Sequence, residues 1–172
     1  MTGFAFVVPG QPVAKGRPRA VRRGRTLAMI TPQRTRDYEA IVCAAVRTAY
    51  SGPQLAGPLA VDVLALFRRP RRLLRRKDPA GLVPHVARPD CDNVIKAIYD
   101  GIGRAGAWRD DSQVCAGQVA KFYHAKGGRA GVVVAVSPLG GVDSYSPWLF
   151  RMLEAARVSG VRLDVPLGGA ND

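Results

Sequence analysis

The sequence predicts an α+β fold: a small mixed β-sheet of about four strands, two main helices packed on it, and a C-terminal helical extension. Three observations lead there. Apolar runs with strand-like alternation occur near the start, in the middle and before residue 137; two segments between them repeat apolar residues at helical spacing; and Gly and Pro punctuate the joins.

Phe4-Ala5-Phe6-Val7-Val8 reads as the first strand, closed by Pro9-Gly10. Lys15 to Arg25 sets six cations among two glycines and a proline, which predicts an exposed loop or hairpin, with Thr26 to Ile30 as a short return strand. Thr31-Pro32 suits a helix start as N-cap and first-turn proline. Tyr38, Ile41, Val42, Ala45, Val46 and Ala49 then form a core-facing stripe that Ser51-Gly52-Pro53 ends. Leu59 to Phe67 is apolar on both faces, as in a largely covered strand. After the arginine run from Arg68 to Lys77, a second helix is expected over roughly 92–103, with Val94, Ile95, Ile98 and Ile102 inward and Asp92, Lys96 and Asp100 along another face. Asp111 to about His124 reads as a strand, Lys126-Gly127-Gly128-Arg129 as a hairpin turn and Gly131 to Val136 as its return strand.

Residues 1–137 form the expected domain and 138–172 an extension. In the extension Ser146 and Pro147 suit a helix start, and Leu149, Met152, Leu153 and Ala156 share a face. Val161, Leu163 and Val165 alternate after Ser159-Gly160. Covering the sheet, extending a dimer interface and recruiting a partner all remain open for it.

Net charge narrows the function. The 172 residues carry 26 Lys and Arg against 13 Asp and Glu, a formal +13. Residues 1–86 hold sixteen cations and four acids, whereas residues 87–172 hold ten and nine. Such an excess implies an anionic polymer or membrane face as partner. No apolar run approaches the roughly 20 residues of a membrane span. Met1-Thr2-Gly3-Phe4 opens without a signal-peptide pattern. A soluble, cytoplasmic, nucleic-acid-facing protein is therefore expected. Cys43, Cys91 and Cys115 lack metal-ligand spacing, and with His85 and His124 as the histidines a zinc site is not expected; reduced thiols are.

The acids are not spread evenly. Asp90, Asp92, Asp100, Asp110 and Asp111 are five of the thirteen and lie within a short stretch. Two carboxylates about 4 Å apart repel by roughly 1 kcal/mol in water and about 4 kcal/mol at an effective dielectric near 20. Gathering several calls for a compensating cation, and a divalent metal with oxygen ligands is the usual one. Asp90 and Asp92 flank a helix start, where the dipole favours carboxylates. Asp111 arrives from a second segment with Asp110 beside it. Such a set suits Mg²⁺, with Mn²⁺ as a substitute, and phosphodiester hydrolysis is its natural use. Lys96, one turn beyond Asp92, would pair with a carboxylate when free and with the scissile phosphate when bound.

These residues carry a resemblance. Arg88-Pro89-Asp90-Cys91-Asp92-Asn93-Val94-Ile95-Lys96, then Asp100, then Trp108-Arg109-Asp110-Asp111-Ser112-Gln113-Val114 and Lys121-Phe122-Tyr123 resemble the RusA family of Holliday junction resolvases. The opening strand, Pro9-Gly10 and Lys15-Gly16-Arg17-Pro18-Arg19 fit the same pattern, over about residues 4–137. The resemblance implies a Mg²⁺-dependent endonuclease, bacterial or phage-encoded. It would act as a homodimer that grips a four-way DNA junction and nicks two strands symmetrically. It assigns catalysis and metal binding to Asp90, Asp92 and Asp111, and the essential lysine to Lys96. Residues 138–172 depart from the family pattern.

Plainer readings stand beside these. Capping explains one of Asp90 and Asp92 but not both. Asp111 has a surface-turn reading, and Asp110 is either a further ligand or a turn residue. Asp100 is expected to support Lys96 or a nearby arginine. Lys15, Arg17, Arg19, Arg22, Arg23 and Arg25 are expected to hold phosphates, as are Arg68, Arg69, Arg71, Arg72, Arg75, Arg76 and Lys77 from a mobile loop, and Lys121. Trp108 and Tyr123 read as packing residues, and His85 and His124 as surface or loop histidines. Two other functions stay open: a nuclease for other branched or single-stranded DNA, and a non-catalytic basic DNA-binding dimer.

Overall fold

The computed structural model describes residues 3–140. The helix expected from Ser146 and the alternation from Val161 to Val165 lie outside the described residues.

A six-stranded mixed sheet carries two helices on one face, with a separate two-stranded ribbon beside it. In chain order the elements are β1 (Phe4–Pro9), β2 (Arg19–Arg23), β3 (Thr26–Ile30), α1 (Gln33–Ala49), β4 (Leu59–Phe67), β5 (Val83–Pro84), α2 (Cys91–Ala105), β6 (Val114–Ala116), β7 (Val119–Tyr123) and β8 (Gly131–Pro138). The sheet order is β1-β8-β4-β7-β5, with β6 also on β4, while β2 and β3 pair with each other. This is the expected α+β class, with four longer strands extended by the short β5 and β6.

β4 runs antiparallel to β8 along one edge and parallel to β6 and β7 along the other. That explains its apolar character on both faces: it is the central strand. Parallel pairing of β4 with β7 requires a crossover, and α2 provides it. Val94, Ala97, Ile98 and Ile102 of α2 are buried against Val42 and Val46 of α1 and against β4. Gly101 is where the two helices come closest, since a Cβ there would stand 2.5 Å from Val42.

Several expectations change. β7 and β8 do not form a hairpin, because β4 lies between them. The turn at Lys126 to Arg129 exists, with Gly127 at φ 77°, but it carries the chain across the end of β4. The strand expected from Asp111 to His124 is broken into a 3-10 turn, β6 and β7. The break falls at Gly117, at φ 150°, where the Val61 carbonyl oxygen sits 1.9 Å from any Cβ position. Only glycine fits there. Gln118 N–H then donates to the Asp62 carboxylate instead of to a strand neighbour. At the start of α1, Pro32 and not Thr31 takes the N-cap position, with no side-chain cap. Ile41 is 46% exposed, while Thr35 and Glu39 take buried places on that helix.

Candidate active site

Asp90 stands at the N-cap of α2 in extended conformation, and its carboxylate makes no capping hydrogen bond. The plain capping reading therefore does not occupy this side chain. Asp92 lies in the first turn, exposed, with Lys96 Nζ 3.3 Å from its Oδ2. An exposed pair at that spacing is worth only a few tenths of a kcal/mol, so both groups can be re-partnered cheaply. The positive end of the helix favours both carboxylates.

The segment before the helix is held from behind. Lys121 Nζ, on β7, donates to the carbonyls of Ala87 at 3.0 Å and Pro89 at 2.5 Å. His85 N–H donates to the Lys121 carbonyl, and Lys15 N–H to that of Asn93. Lys121 thus positions the Asp90 strap, where a DNA contact was expected.

Beside the strap runs a groove of about 930 Å³. Lys15, Arg17, Arg19, Arg34 and Arg88 line it, together with Asp90, Asn93, Phe67 and His85. Arg34 and Arg88 went unassigned at the level of sequence, the first because it sits on α1 and not in a cation-dense loop. His85 is no surface histidine: it is 7% exposed, its ring stacked 3.9 Å from Phe67 and tilted 4.6 Å from Tyr123. Burial, then the nearby Lys121 charge, holds its pKa below the ordinary value, and its buried Nδ1 has no hydrogen-bond partner among the described residues. The short β5 before it gave no signal in the sequence. His124 is half-buried, its Nδ1 2.8 Å from the Ala125 carbonyl.

The cations divide sharply. Lys15 Nζ lies 2.6 Å from Glu39 Oε1 and 2.5 Å from Asp100 Oδ2, joining α1 to α2. Its burial alone would lower the pKa, but the bonds to Asp100 and Glu39 outweigh this and the net shift is upward. Asp100 therefore serves Lys15, and not Lys96 or an arginine as expected. Arg17, Arg19, Arg22 and Arg25 are exposed, and Arg23 belongs to β2. In the second basic run Arg68, Arg71, Arg72, Arg76 and Lys77 are exposed. Arg75 is also exposed but pairs with Asp78 at 3.2 Å. Arg69 departs from the expected phosphate role. It is 3% exposed, its guanidinium donating to the carbonyls of Pro79 at 2.6 Å and Gly81 at 3.2 Å, and it cannot reach DNA from there.

Asp110 caps the 3-10 turn Asp111–Gln113, accepting from Ser112 N–H at 2.9 Å. That bond holds its pKa below the usual carboxylate range. Gln113 completes the box: its Oε1 accepts from Arg109 N–H and Asp110 N–H, and its Nε2 donates to Leu55 and Gly57 carbonyls. The Asp-x-x-Gln spacing was the available signal. Asp111 stays exposed in the turn. Burial first, then the charges of Asp111 and Asp62, raises the Tyr99 pKa, and the turn that carries Asp111 contacts α2.

Among the described residues no three His, Cys, Asp or Glu side chains are gathered closely enough to hold a metal ion. Asp90, Asp92 and Asp111 thus form no ready-made cage. Their chemistry still fits Mg²⁺, which takes hard oxygen donors and is often held by one or two carboxylates together with substrate phosphate.

Comparison with known proteins agrees with this layout. The family model described as Endodeoxyribonuclease RusA matches residues 9–136. The uncharacterized protein YqaN of Bacillus subtilis (strain 168) is 31% identical over 128 residues, covering 72% of this chain and 89% of that protein. The crossover junction endodeoxyribonuclease RusA of Escherichia coli (strain K12) is 45% identical over 47 residues, covering 27% of this chain and 39% of that enzyme. The same share is covered in the namesake enzyme of Enterobacteria phage 82, again at 45% identity. With the matched region running from the end of β1 into β8 and covering both helices and the acidic strap, the chain belongs to the RusA endodeoxyribonuclease family.

Proposed function

We propose that this protein is a divalent-metal-dependent endonuclease that resolves four-way DNA junctions by paired symmetric nicks, acting as a homodimer in the cytoplasm. The observation that carries the reading is the groove: Arg17, Arg19, Arg34 and Arg88 line it together with Asp90, an aspartate left uncapped at a helix N-terminus. Arginines at a groove wall neutralise phosphates along a strand, and the Asp90 carboxylate in the same lining would repel them without a cation. Asp90 and Asp92, with Asp111 from the neighbouring turn, would hold Mg²⁺ or Mn²⁺. The metal would supply phosphoryl polarisation and a water of lowered pKa. Lys96 would exchange Asp92 for the scissile phosphate. Lys121 keeps the strap in register, and residues 1–137 form the nuclease unit. Two nicks on a two-fold substrate call for two active sites, hence two copies. No helix of the described residues is long and apolar enough to cross a membrane.

Incubation of the full chain with a synthetic four-way junction, a flap and a single strand, with and without Mg²⁺, tests the reading. Fast, metal-dependent cutting of the junction at symmetric positions is expected. Faster cutting of flaps or single strands would assign another branched substrate, and binding without cutting in Mg²⁺ or Mn²⁺ would leave a DNA-binding dimer.

A further inference from the structure

The ribbon formed by β2 and β3 carries a surface that phosphate binding does not explain. Its register pairs Ala20 with Met29 and Arg22 with Leu27, so these four side chains share one face. All four are exposed, Leu27 at 72% and Met29 at 68%. The opposite face carries Ala28 and Ile30, half-buried, beside Val21, 40% exposed, and Arg19, which lines the groove. The ribbon pairs with no strand of the main sheet. Both legs rise from the groove wall, since Arg17 and Arg19 before it and Pro32 and Arg34 after it line the groove.

We propose that this outward face is a base-contacting wedge, with Leu27 and Met29 packing on unstacked bases at the branch point of the DNA held in the groove. This deepens the nuclease reading and rests on it. Charge selects the occupant: residues 1–36 contain eight Lys and Arg and no acid. A second copy docking on this face would bring two basic ribbons together, whereas DNA supplies the opposite charge. A two-stranded ribbon is of a size that enters a DNA groove, and Leu and Met are residues that wedge between base steps. Spacing agrees as well. Side chains two apart on a strand stand about 6.8 Å apart, twice the roughly 3.4 Å separation of stacked bases. Continuous stacking of each arm is interrupted at a branch point, so parting the bases there costs less than inside a duplex.

The test uses the full chain and a four-way junction with 2-aminopurine at the branch point, in Ca²⁺. Wild type is expected to raise the fluorescence at least twofold on saturation. Leu27→Ser/Met29→Ser should lose that rise while the slope of log affinity against log salt stays unchanged, because the arginines remain. Both positions are exposed, so folding is not at stake. A rise that persists in the double variant, or wild-type binding without any rise, would overturn the wedge and leave the nuclease reading intact. A shift of the double variant from dimer to monomer in size exclusion would overturn it in favour of a contact between copies. Failure of the wild type to bind any DNA would remove the nuclease reading and the wedge with it.

Discussion

The chain has two arginine-rich segments that look alike in sequence and differ in structure. Residues 15–25 lead into a ribbon paired only with itself, whose cations from Arg17 to Arg25 are exposed wherever their side chains are described. Residues 68–77 form a braced loop instead. Arg69 is buried at its base, Arg75 is tied to Asp78, and Lys126 Nζ donates to the carbonyls of Arg75 and Asp78 at 2.8 and 2.7 Å. Charge density alone therefore does not mark a DNA contact. What decides is whether the guanidinium is already spent on carbonyls or carboxylates of its own chain. Lys15 repeats the lesson inside the first segment, because Glu39 and Asp100 hold it.

The largest effect should come from Arg69. Replacing it with Met removes charge-assisted bonds to two carbonyls and leaves them unpaired. A loss on the order of 3 kcal/mol in stability is expected from urea denaturation. Junction affinity per folded molecule should not change. An Arg69 variant that is fully stable yet binds DNA weakly would break the distinction between the two segments.

Arg19 and Arg25, exposed on the ribbon, should behave in the opposite way. Substituting either with Ala should alter stability by no more than about 0.5 kcal/mol. Each should also lower the magnitude of the salt slope of junction binding by about 1. Titrations across a salt series would read this directly.

The smallest effect concerns pH at the groove. His85 has a depressed pKa, so the folded state favours its neutral ring. The stability this contributes is present above the ordinary value of 6.5 and is lost as pH falls through the lower folded pKa. His85→Phe, which can keep the stacking with Phe67 and Tyr123, should flatten the stability profile below pH 6.5. An unchanged profile would mean that His85 does not titrate there.

Much of this was legible in the sequence because local chemistry dictated it. Alternation gave β1 and β4, helical spacing gave α1 and α2, and the acidic motif fell on the α2 N-terminus. What escaped depended on partners distant in the chain. The β7 and β8 segments looked like a hairpin because each alternates and a Gly-Gly turn joins them. The more apolar β4, some sixty to seventy residues earlier, pairs with both. Lys121 and His85 face each other's segments through tertiary contacts that no spacing announces. Asp110, read as either a ligand or a turn residue, caps the 3-10 turn, which Gln113, three residues on, could have signalled.

The central claim is that the strap at the start of α2 cuts what the arginines hold. The most direct measurement compares wild type with Asp92→Asn for both cleavage of a four-way junction in Mg²⁺ and binding to it. Asp92 is exposed and its pairing with Lys96 is weak, so the variant should fold normally. The account predicts a loss of cutting by at least a thousandfold with binding equal or tighter, since a negative charge near the phosphate is gone. Cutting by Asp92→Asn at the wild-type rate would contradict it.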